Sequence, residues 1–221
     1  VVLVVLFFVS GACGLIYQVL WLRLLSLVFG VTVWAASTVL ASFMAGLGLG
    51  SLLAGRLVDR ARMYVLWYGA IEICVGLSAL LTPVALDAVQ QWYVALYPML
   101  GDSLWGLTVA RFVLSSAILL LPATLMGATL PIVVKSSLLR DEGLGQRISV
   151  LYAANTAGAV AGVVLGGFVL IGGVGIAASF GIAAALNVGV GLLALLGALL
   201  LGPSRPVAPA APVAQEPAPE S

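Results

Sequence analysis

Six stretches of this chain, at roughly 1–28, 31–56, 64–86, 104–134, 148–171 and 175–201, each run for more than twenty residues with at most one charged side chain. A helix needs about 20 apolar residues to cross a ~30 Å hydrocarbon layer. The apolar runs are continuous rather than alternating, which disfavours a β-barrel. Composition agrees. Of the 221 residues, 63% are hydrophobic and 8% charged, against about 25% charged in soluble domains. So few charges cannot cover a water-facing surface, and the chain reads as an all-α polytopic membrane bundle of about six transmembrane helices. The lipid bilayer is its first expected partner.

Net charge is +1 and histidine is absent. No basic block interleaved with aromatics suggests nucleic-acid binding. With no histidine, and with Cys13 and Cys74 inside apolar segments, no metal site and no cofactor is expected. The two cysteines read as packing residues rather than a disulfide. The N-terminus shows no initiator Met and no basic leader, so it does not read as a signal peptide.

Short loops give an orientation. Arg56, Arg60 and Arg62 follow the second stretch, and Lys135, Arg140 and Arg147 follow the fourth. Such basic loops favour the cytoplasm, which places both termini there. The segment Asp87–Ser103, with Trp92, Tyr93 and Tyr97, reads as a short amphipathic helix in the outer interface. Pro122 and Pro131 predict a kink or tilt in the fourth helix. After 1–202 the character changes to a Pro/Ala-rich stretch over 203–221, read as a linker or disordered tail.

Small residues recur at helical spacing: Gly46, Gly50 and Ala54 on one face, Gly158, Gly162 and Gly166 on another. Such faces let helix backbones approach closely. Inside the apolar stretches stand the candidate polar and charged residues Gln18, Arg23, Glu72, Arg111 and Asn155. Arg23 can snorkel near a helix end. Gln18 should bond a neighbouring helix, and Asn155 and Asn187 are expected interhelical hydrogen bonders. Tyr17 and Trp21 share a face at i, i+4. Glu72 and Arg111 are expected to pair inside the bundle, as a structural tie or as a coupling site for substrate or protons. No nucleophile stands beside a base, so no catalytic residue is assigned.

The loop sequence GSLLAGRLVDRAR is similar to the signature between helices two and three of the major facilitator superfamily, with Gly55, Asp59 and Arg60 matching; Ala61 and Arg62 depart from it. The stretches FFVSGACGLIYQVLWLRLLSLVFG, STVLASFMAGLGLGSLLAGRLVDR, LLLPATLMGATLPIVVK and LYAANTAGAVAGVVLGGFVLIGGVG resemble the N-terminal membrane domain of spermidine-synthase-like bacterial membrane proteins. That resemblance implies half of a major facilitator fold, serving as anchor or transport-like module for a C-terminal soluble aminopropyltransferase-type domain whose catalytic positions this sequence does not contain. The alternatives are an accessory subunit packed against other membrane subunits, or a homodimeric half-transporter for a small, possibly cationic, solute.

Overall fold

The computed structural model describes residues 1–29, 33–57, 63–100, 104–138 and 144–201. Asp59 and Arg60, and the 203–221 stretch, lie outside these described residues. All regular structure among them is helical: α1 (Val2–Phe29), α2 (Val33–Leu57), α3 (Tyr64–Leu100), α4 (Leu104–Leu138), α5 (Leu144–Val164), a π-helical segment (Leu165–Leu170) and α6 (Ile171–Leu201).

Close contacts fix the direction of each helix. Phe8 and Ala12 of α1 meet Gly158 and Gly162 of α5 in the same order, so these helices run parallel. Gly46 and Gly50 of α2 meet Ala123 and Thr124 of α4, again parallel. Trp34 and Trp105, with ring centroids 6.3 Å apart, join the N-terminal ends of that second pair. Gly69 and Gly76 of α3 meet Gly191 and Ala184 of α6 in opposite order, so this pair is antiparallel. Gly46 and Gly50 of one predicted ridge, and Gly158 and Gly162 of the other, are therefore close backbone contacts, whereas Gly166 is in looser contact with Ile16. A Cβ at Gly50 would strike the Thr124 carbonyl oxygen and lie 2.8 Å from the Ala128 nitrogen. The α3/α6 seam is a third small-residue contact that the sequence reading does not contain.

By length and composition alone, the described helices supply five candidate spans, the last being the 56-residue stretch Gly145–Leu200. Packing divides that stretch. Its first half ascends with α1 and its second half descends against α3, so the chain reverses between them. Gly175 marks the break, with φ 82 and ψ 171 inside α6. That backbone region is essentially restricted to glycine. No other atom lies within 4 Å of a Cβ there, so Gly175→Ala carries a purely backbone penalty of about 1–3 kcal/mol. A lower thermal midpoint for this variant in detergent is the expected result; an unchanged one would show that the turn is made elsewhere.

One expectation about helix shape needs correction. Asp87–Ser103 does not begin a separate interfacial helix, because α3 continues unbroken to Leu100. Pro83 does not stop it either. A proline leaves the carbonyl four residues earlier without its amide partner, here that of Ala79. The Thr82 hydroxyl donates to the Ala79 oxygen at 2.6 Å, and itself accepts from Trp21 Nε1 at 2.9 Å. α4 is likewise helical through Pro122 and Pro131.

The core draws on all six helices, with its largest aromatic side chains on α1, α3 and α6. Tyr17 stacks on Trp21 (5.9 Å) and on Phe180 (6.1 Å), and Phe7 meets Tyr68 edge-on at 6.3 Å. The exterior is the reverse of a soluble surface: Phe168, Trp105, Leu81 and Leu200 are among many large apolar side chains left exposed.

Candidate functional site: a buried carboxylate at a three-helix junction

Glu72 is 0% exposed. An ionised carboxylate in such a place is costly unless it is hydrogen-bonded and compensated. Its surroundings come from three helices. From α1, the Ser10 hydroxyl donates to Oε1 at 2.5 Å. From α6, the Asn187 amide Nδ2 donates to Oε2. From its own helix one turn earlier comes Tyr68, buried, with its ring packed on Phe7. Cys13, Tyr17 and Tyr68 all lie within electrostatic range of the carboxylate.

The two donors use one lone pair on each carboxylate oxygen, and three more polar atoms are left over. Tyr17 Oη and Asn187 Oδ1 are buried with no hydrogen-bond partner, and the buried Tyr68 Oη lies against Glu72 and Ser10 without a well-formed bond. Buried polar atoms are nearly always satisfied, and each exception calls for a physical reason. Here the exceptions come from the three helices that meet at one acidic group.

The expected Glu72–Arg111 pair is not the contact the structure makes. Arg111 has interactions of its own and is not among the groups acting on Glu72. Helix length explains the miss. At 1.5 Å per residue, Glu72 lies about 12 Å from the start of α3 and Arg111 about 10 Å from the opposite-facing start of α4. The 28 residues of α1 make a bundle about 42 Å tall, which leaves the two groups at different levels.

The other predicted residues are scattered around this junction. Gln18 is half-buried on the Gly14 side of α1, the side that meets Met126 of α4, and stays outside the Glu72 cluster. Arg23 is exposed near the C-terminal end of α1. Asn155 is half-buried where α5 crosses Gly11. Gly55 is exposed near the end of α2. Ser10 and Tyr68 were missed by sequence reasoning. The available signal was spacing: Tyr68 and Glu72 stand at i, i+4, and Ser10, Tyr17 and Trp21 share one face of α1. Among the described residues no three His, Cys, Asp or Glu side chains gather to hold a metal.

Helices long and apolar enough to cross a membrane, packed around a buried acidic junction, define an all-helical bundle. The chain is similar to polyamine aminopropyltransferase 2 of Streptomyces coelicolor: 164 residues are 32% identical, covering 74% of this chain and 28% of that protein. The resemblance to spermidine-synthase-like proteins is thus supported, over less than a third of the relative's length. No family model matches the sequence, and no solved structure matches it.

Proposed function

We propose that residues 1–202 form a membrane-embedded module of a spermidine-synthase-like protein. It lies in a bacterial inner membrane with both ends cytoplasmic, and anchors or serves an aminopropyltransferase-type domain without a catalytic site of its own. The observation that carries this reading is the inverted distribution of polarity, with large apolar side chains outside and Glu72 at 0% exposure inside. Contiguous apolar surface on this scale marks a membrane or partner interface. The similarity to an aminopropyltransferase supplies the class of protein served.

The helix pairing supports a half-facilitator architecture. Exchanging α1 with α4, α2 with α5 and α3 with α6 turns the α1/α5 pair into α4/α2 and maps α3/α6 onto itself. The exchanged helices run in opposite directions, as in an inverted three-plus-three repeat. The two parallel pairs even use equivalent ridges, Gly46 and Gly50 on α2 and Gly158 and Gly162 on α5. This symmetry also favours the second reading, a homodimeric half-transporter.

The test is fractionation with an activity assay. Expressed alone in a bacterial host, the chain is expected to stay in membranes through an alkaline carbonate wash and to leave a polyamine acceptor and an aminopropyl donor unconverted. Release by carbonate would overturn membrane embedding, and turnover would overturn the non-catalytic role.

A further inference from the structure

We infer that the Glu72 junction is a binding site for a monovalent cation, a sodium ion or a proton, held between α1, α3 and α6. The inference stands on the geometry of the junction and is independent of the role proposed for the whole domain.

Charge is the first argument. Glu72 is buried, and neither donor to it, Ser10 or Asn187, brings a positive charge. α6 contains no ionisable residue, and α4 contributes only Arg111 and Lys135 to the chain's basic residues. Neither of these acts on Glu72. The remaining ionisable neighbours, Cys13 and Tyr17 of α1 and Tyr68 of α3, are neutral or negative. One carboxylate therefore awaits one positive charge, and a buried carboxylate without it is strongly disfavoured.

Ligand chemistry is the second argument. Every polar atom available is oxygen apart from the Asn187 Nδ2 and the Cys13 sulfur: the carboxylate, Ser10 Oγ, Asn187 Oδ1 and the Tyr68 and Tyr17 hydroxyls. Hard cations take oxygen ligands. Two of these oxygens, Tyr17 Oη and Asn187 Oδ1, are buried and unpartnered, and Tyr68 Oη is buried without a well-formed bond. Asn187 Oδ1 belongs to the amide whose nitrogen donates to Glu72, and it is an acceptor without a partner. A single negative charge among neutral oxygens selects a monovalent ion over a divalent one.

The experiment measures thermal unfolding of the purified chain in detergent, in sodium chloride against choline chloride at equal ionic strength, and across pH. A ligand that binds the folded state raises the midpoint as its concentration rises. Sodium identifies itself by raising the wild-type midpoint over choline at fixed pH. A proton identifies itself by a midpoint that rises as pH is lowered, equally in both salts. Either response is expected to vanish in Glu72→Gln. Tyr68→Phe provides the second variant, and carries the test alone if Glu72→Gln does not fold. As a ligand, the lost hydroxyl weakens the cation response several-fold. As a mere orphan hydroxyl, its removal leaves the response intact. A wild-type midpoint indifferent to both sodium and pH, a response retained in Glu72→Gln, or an unweakened response in Tyr68→Phe would overturn the site.

Discussion

Gly50→Val is expected to be among the most damaging substitutions in the molecule, while Gly48→Val two residues away is expected to be nearly silent. A side chain at Gly50 meets the Thr124 carbonyl and the Ala128 nitrogen of α4, whereas nothing lies within 4 Å of a Cβ at Gly48. The obstruction at Gly50 is backbone, which cannot rotate aside as a side chain can, so α2 and α4 must separate. Overpacking costs about 1–3 kcal/mol in ordinary cores and more where nothing yields; about 3 kcal/mol is expected here. An exposed helix position changes stability by about 0.5 kcal/mol or less. Gly162→Val should behave like Gly50→Val, because its Cβ would strike the Ala12 carbonyl on the equivalent α1/α5 seam. Thermal midpoints in detergent decide the matter. Equal midpoints for the Gly50 and Gly48 variants would mean that α2 and α4 do not touch as described.

The second large effect is expected at Asn187. Asn187→Leu removes the donor to Glu72 Oε2 and leaves the buried carboxylate half-satisfied. Hydrogen bonds to charged groups contribute about 1.5–3 kcal/mol, and an orphaned buried partner adds to the loss; about 2–3 kcal/mol is expected. The double variant Glu72→Leu with Asn187→Leu should cost clearly less than the sum of the two single changes. Replacing both members of a buried polar pair removes the uncompensated charge along with the bond. Strict additivity in this double-mutant cycle would show that the two residues do not act as a unit.

Much of this architecture was legible in the sequence because hydrocarbon imposes a simple demand: each crossing must be a long apolar helix. The reversal at Gly175 could be read from the GGVG run (Gly172, Gly173, Val174, Gly175), where helix propensity collapses. The ridges at Gly46/Gly50 and Gly158/Gly162 were legible from their spacing of four. The α3/α6 seam was not, because Gly69 and Gly76 stand seven apart and no single-helix pattern announces which partner they face. The continuation of α3 into the aromatic segment after Asp87 was hidden for a related reason. Whether a proline ends a helix depends on whether a neighbour repairs the lost bond, as Thr82 and Trp21 do here.

The same limit governs the site. Glu72 was visible as a lone acid in an apolar run, but its partners belong to helices 62 and 115 positions away. Choosing Arg111 assumed that two charges of opposite sign at similar depth would meet. The helices are longer than the layer that estimate assumed, and the polar groups that do arrive are Ser10, which carried no signal of its own, and Asn187, legible as an interhelical hydrogen bonder but not as a partner of Glu72.

The most direct test of the six-pass bundle is a topology reporter fused after Leu201 and, separately, at Gly175. By composition Gly145–Leu200 is a single apolar stretch; by packing it folds back on itself at Gly175. Two crossings put the Leu201 fusion on the cytoplasmic side, together with the α2–α3 connection, and the Gly175 fusion on the opposite side. A Leu201 fusion found outside the cytoplasm would mean five crossings, and the α3/α6 pair together with the junction built on it would fall.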